Sequence, residues 1–195
     1  MNSILNQNLF LVKEHVAMFK AANNFDIYNP NSKDILLTCR EPNLGLLTKI
    51  FRFTEYKRMT PFDIEVKTPA GEKILSVKRG ISIFRSIVEV FDEKDNRIGV
   101  FKQQFFSIGG KFNVLDNGEH IICTLQGKWT SWDFKFMKDN TEYAHVSKKW
   151  AGIGKEFFTS ADNYVLEIKE TVTPDNPMRL MILAAVLCID MVLKE

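Results

Sequence analysis

Lys49, Arg52, Lys57 and Arg58 crowd one short stretch, opposed only by Glu55 and interleaved with Phe51 and Phe53. From Lys73 to Val88 the chain holds Lys73, Lys78, Arg79 and Arg85 and no acid. Lys148 and Lys149 directly precede Trp150. Cations beside exposed rings suit an anionic lipid surface, where each cation contributes about 1 kcal/mol and Trp settles at the level of the headgroups. These cations other than Lys73, together with Trp150, are the candidate lipid contacts. The competing reading is ordinary solvated faces, with one or two Trp in the core.

Bond-making chemistry has no comparable support. His15, His120 and His145 sit singly in unlike contexts, and none belongs to an H-E-x-x-H helix. Gly152-Ile153-Gly154-Lys155 looks like part of a phosphate loop, but Glu156 replaces the Ser or Thr and the upstream Gly is missing. No G-x-S-x-G nucleophile elbow occurs. The acidic turn from Asp92 to Asn96 lacks the ligand spacing of an EF-hand. The expectation is a protein that is not an enzyme in the bond-making sense.

Composition sets the frame. The 195 residues suit a single domain, 45% are hydrophobic and 26% charged, and 26 Lys and Arg against 24 Asp and Glu leave +2. That balance gives no reason to expect nucleic-acid binding. Cys39, Cys123 and Cys188 are sparse and odd in number, which fits a reducing, cytoplasmic compartment rather than a disulfide framework. Met1 to Asn8 shows no secretory signal and reads as a flexible N-terminus, and Asn2 stands where myristoylation needs Gly.

The elements that must carry these cations form a repeating hairpin. Phe25–Tyr28 and Ile35–Leu37 flank a turn from Asn29 to Asp34; Phe62–Val66 and Ile74–Val77 flank Pro69-Ala70-Gly71. Val88–Phe91 pairs with Ile98–Phe101, Phe112–Leu115 with Ile121–Leu125 across Asp116-Asn117-Gly118, and Phe134–Met137 with Tyr143–Val146. Tyr164–Ile168 opens a sixth unit, and Leu9–Val12 adds a twelfth strand. Alternation of period two, Pro, Gly, Asn and Asp in the turns, and no long helical pattern between them predict an antiparallel barrel or sandwich. The recurrent Phe at hairpin openings reads as core.

The C-terminal segment follows a different rule. Asn176 before Pro177 predicts a helix start, and Leu180–Ile189 is uninterrupted apolar sequence. From Met178 to Leu193 such a helix is about 24 Å long, short of the roughly 30 Å hydrocarbon core, and Arg179 and Asp190 shorten the clean span. A helix apolar on every side is buried in protein or in lipid. Burial in protein is the better reading, because a sheet closed around it loses its exposed edges and covers the helix in one step.

His145 to the end carries a resemblance. Val146-Ser147-Lys148-Lys149-Trp150-Ala151-Gly152-Ile153, Lys155-Glu156-Phe157-Phe158-Thr159 and Ala161-Asp162-Asn163-Tyr164 resemble the phospholipid scramblase family, as does the terminal run with Cys188-Ile189-Asp190. The hairpins from Phe25 onward fall in compatible order. The resemblance implies a tubby C-terminal-like fold, shared with the LURP-one-related proteins, in which a closed antiparallel twelve-strand barrel surrounds a central helix, here residues 177–193 of a single domain 1–195. It implies calcium-stimulated, ATP-independent movement of phospholipids between leaflets, and binding of anionic phospholipid or phosphoinositide headgroups at the cytoplasmic face of a membrane. For calcium it offers Asp162 and Asn163, although Ser160, Lys169 and Glu170 depart from the family's pattern there; a turn between strands is the competing reading. The other function class is a soluble interaction or regulatory module without lipid transport.

Overall fold

From Phe62 to Lys67 burial alternates residue by residue, as a strand with one face on a core requires. That strand is one of twelve in the computed structural model, which describes residues 3–15, 22–104, 110–128, 130–148 and 163–194. They are β1 (Leu9–Glu14), β2 (Phe25–Tyr28), β3 (Ile35–Arg40), β4 (Phe62–Lys67), β5 (Lys73–Arg79) and β6 (Ile87–Asp92), then β7 (Arg97–Gln103), β8 (Lys111–Leu115), β9 (Ile121–Lys128), β10 (Asp133–Lys138), β11 (Thr141–Ser147) and β12 (Asn163–Ile168). Every alternating run read from the sequence lies within one of them. Each pairs antiparallel with its neighbours in sequence, and β1 pairs with β12, Phe10 facing Leu166, so the barrel closes. Closure removes the unpaired edges that a sandwich would keep.

An up-and-down order sends alternate connections to opposite ends. One end carries the tight turns after β2, β4, β6, β8 and β10, where Lys33, Gly71, Asp95, Glu119 and Asn140 take positive φ. The other end carries the long connections, including residues 41–61 and 80–86. Helix α1 (Leu46–Phe51) and a 3-10 helix, Glu55–Met59, lie in the first of these. The hairpin reading left no helix there.

Helix α2 (Met178–Ile189) follows β12 from the turn end and runs through the barrel; a π-helical turn, Asp190–Lys194, continues it toward the loop end. Asn176 Oδ1 accepts the Met178 amide at 2.9 Å, capping the helix. Arg179 and every residue from Met181 to Ile189 are buried. Gly99 lets the wall approach: a Cβ there would stand 2.7 Å from the Leu115 carbonyl oxygen and 2.8 Å from Met181 Cε. Asp190 is buried too, accepting the Tyr164 hydroxyl.

Within the N-terminal stretch that reads as flexible, residues 1 and 2 lie outside the described residues and Ser3–Asn6 forms a 3-10 turn with Leu5 buried. Arg179 explains the order: Nε donates to the Leu5 carbonyl at 2.5 Å, Nη1 to that of Val172 at 2.6 Å, and Nη2 to the Gln7 carbonyl and to Asn8 Oδ1. Three of the four partners of the helix's one cation come from more than 170 residues away, which periodicity does not reveal.

All three cysteines are free and buried. Burial pushes the Cys39 thiol up to about 12, and a pKa raised in the folded state means stability that is full below the ordinary thiol range and lost progressively from there up to the folded value. Urea midpoints measured from about pH 9 upward should fall, with Cys39 contributing about 1.4 kcal/mol per pH unit until its folded form also ionises. In Cys39→Ala the curve starts lower but descends less steeply; an unchanged slope would refute the assignment.

Candidate functional site

At the loop end two connections meet. The 41–61 excursion leaves β3 and returns to β4, and the Ser82 amide from the β5–β6 loop donates to the Met59 carbonyl at 3.1 Å. Two buried arginines brace this junction. Arg52 grips Glu41 with both ends of its fork, at 2.5 and 2.7 Å, and also donates to the Pro61 carbonyl at 2.8 Å, so one side chain ties the excursion to both of its ends. Arg79 donates to the Thr60 carbonyl at 2.6 Å and lies over the Phe62 ring. It also reaches the Met191 carbonyl at 3.5 Å, where the helix ends.

These contacts correct two assignments. Arg52 and Arg79, read as headgroup contacts, are buried struts. Lys78 is half-exposed on the wall, 3.3 Å from Asp63. Lys49 and Arg58 are exposed, and Lys57 and Arg85 partly so, all on the two braced connections. Lys148 lies over a Trp132–Tyr164 stack, its Nζ 4.4 Å from the Trp132 ring centre. Lys149, Trp150 and Asp162 fall outside the described residues.

The same connections expose an apolar surface of which the sequence reading singled out only Phe51 and Phe53. No residue of α1 or of the 3-10 helix is buried apart from the strut Arg52 between them. Leu46, Leu47, Ile50, Phe51, Phe53, Tyr56 and Met59 face outward, and across the Ser82–Met59 bond Ile81, Ile83, Phe84 and Ile87 do the same. Phe84 is 88% exposed, and among the described residues only Ile35 and Ile121 are large exposed hydrophobics elsewhere. The signal was present in Leu46-Leu47 and Ile50-Phe51, apolar pairs that fit no strand alternation. Beside α1 a cleft of about 280 Å³ opens, walled by Glu41, Thr48, Asp63, Lys78 and Arg79.

A barrel of this order around a buried helix matches one family over almost its whole length: the Scramblase family model covers residues 2–195. The chain belongs to the scramblase family. Its fold is also similar to the X-ray structure of a protein from Arabidopsis thaliana, with a TM-score of 0.57 at 14% identity, covering 96% of this chain and 94% of that one. No curated protein matches the sequence.

For a scramblase-family barrel calcium is the ion that the resemblance implies, and of the two residues offered for it only Asn163 lies among the described residues. Asn163 is buried at the start of β12, and Glu167, four residues on and so about 13 Å along the strand, is engaged by Lys169 at 2.6 Å. Among the described residues no three acidic, His or Cys side chains cluster as a metal site. Nor is any described helix long and apolar enough to cross a membrane.

Proposed function

We propose that this scramblase-family barrel binds anionic phospholipid at a membrane surface through its loop end. The supporting observation is the co-location of Lys49, Lys57, Arg58 and Arg85 with exposed rings and aliphatic side chains on two connections braced from beneath. The cleft beside α1 offers polar walls to a headgroup. In this reading α2 stays inside the barrel, because its exit would bare an interior of Phe, Leu, Ile and Val and break the Arg179 contacts.

Co-sedimentation with phosphatidylcholine vesicles, with and without phosphatidylserine, tests the reading. At low salt the protein pellets with the anionic vesicles only. Replacing Lys49 and Arg58 together by Ala removes two surface cations at about 1 kcal/mol each and weakens binding roughly 30-fold. Equal recovery in the supernatant at every lipid composition would leave the soluble-module reading standing. Movement of lipid between leaflets belongs to the same proposal. It is measured with labelled phospholipid in reconstituted vesicles, with calcium and with chelator, since the family implies a calcium dependence.

A further inference from the structure

Resting on that reading, we propose that the apolar residues of α1, the 3-10 helix and the β5–β6 loop form a wedge that enters the acyl layer of an anionic bilayer, while the neighbouring cations stop at its headgroups. Attraction by surface charge alone requires only Lys and Arg. This end of the barrel adds large exposed apolar side chains: Leu47, Ile50 and Phe53 on one connection, Ile81, Ile83 and Phe84 on the other. Two segments distant in sequence converge on it, pinned by the Ser82–Met59 hydrogen bond and by the Arg52 and Arg79 struts. A patch so supported is a built surface, larger in kind than the scattered apolar residues of a soluble protein.

Charge selects the occupant. The exposed cations Lys49 and Arg58 flank the apolar residues with Glu55 as the acid beside them, and cations around an apolar centre complement anionic headgroups above acyl chains. A second copy of the chain suits the surface poorly: a two-fold contact presents the same patch from both sides and sets cations against cations. The opposite end of the barrel supports the direction. Its turns, such as Asn29–Asp34, Asp92–Asn96 and Asp116–His120, are polar, and Ile35 and Ile121 are its isolated exposed hydrophobics. The molecule therefore has one pole shaped for lipid and one for water.

The test places an environment-sensitive dye on the full chain at Phe84→Cys, with Ile121→Cys as the control at the far end; the three native thiols are buried. With phosphatidylserine-containing vesicles the Phe84→Cys probe shifts to the blue and is quenched by lipids carrying a nitroxide high on the acyl chain, while the Ile121→Cys probe stays aqueous. In unlabelled protein, Ile81→Ser with Ile83→Ser and Phe84→Ser weakens vesicle binding roughly tenfold or more, and the residual binding vanishes with added salt. Co-sedimentation that persists with a water-exposed Phe84→Cys probe overturns the wedge and leaves surface binding intact. Loss of binding for the unaltered protein overturns both. A serine variant that turns a dimer into a monomer without changing vesicle binding assigns the patch to self-association, and the wedge falls.

Discussion

Arg179→Leu should cost this protein about 3–5 kcal/mol of unfolding free energy, a large part of the roughly 5–15 kcal/mol that holds a domain together. The guanidinium is wholly buried and, among the described residues, faces no carboxylate; its partners are the carbonyls of Leu5, Gln7 and Val172 and the Asn8 side chain. It also sits in the first turn of α2, the end of a helix where the macrodipole disfavours a cation. Burial adds to that cost, drawing its pKa below the ordinary value. Both penalties are tolerated because one planar fork satisfies four acceptors and fastens the N-terminal segment, the β12–α2 connection and the helix together. Leucine keeps much of the volume and leaves all four acceptors without their donor. Lysine keeps the charge but not the fork, so Arg179→Lys should fall between the two. Urea midpoints give the energies. Labelling of Cys188, buried in the same helix, reports whether α2 loosens in its barrel. A loss below about 1 kcal/mol for Arg179→Leu would show that water replaces the guanidinium without penalty.

What the sequence disclosed depended on how far apart the interacting residues lie. Strands such as Phe62–Lys67 are legible because alternation is local, and α2 is legible because a run apolar on every side admits few resting places. Arg179 was visible only as a charge that shortens an apolar span, since nothing near it in sequence announces the Leu5 and Gln7 carbonyls. The same limit divided the basic residues wrongly. Arg52 and Arg58 look alike in sequence, but Glu41 and the Pro61 carbonyl, brought close by the return of the chain to β4, make one a strut and leave the other on the surface. Arg79 and Arg85 part in the same way: the Thr60 and Met191 carbonyls claim the first. The apolar pole was the least legible, because it exists only where residues 46–59 and 81–87 are joined.

Glu41→Ala should undo that pole while sparing the barrel. The Glu41 and Arg52 side chains are each 2% exposed, so removing the carboxylate strands a buried guanidinium, a loss of about 3–5 kcal/mol where an ion pair is broken from one side. The strained group has a local escape. The excursion from residue 41 to 61 contributes no buried side chain from α1 or the 3-10 helix, so it can detach and hydrate Arg52 while the β3–β4 ladder persists. Amide exchange should therefore speed up across residues 46–59 and stay slow in β4 and β5. Vesicle binding should fall even though Lys49, Lys57 and Arg58 remain in the sequence, because the surface that gathers them is lost. Replacing both partners, Glu41→Met with Arg52→Met, removes the stranded charge along with the pair, and apolar substitutes for a buried pair often recover the stability. A double-mutant cycle over the unaltered protein, Glu41→Met, Arg52→Met and the double variant should return a coupling of a few kcal/mol. If Glu41→Ala loosens the excursion and the vesicle affinity stays the same, lipid contact does not depend on the braced arrangement, and the cations act as a diffuse charge.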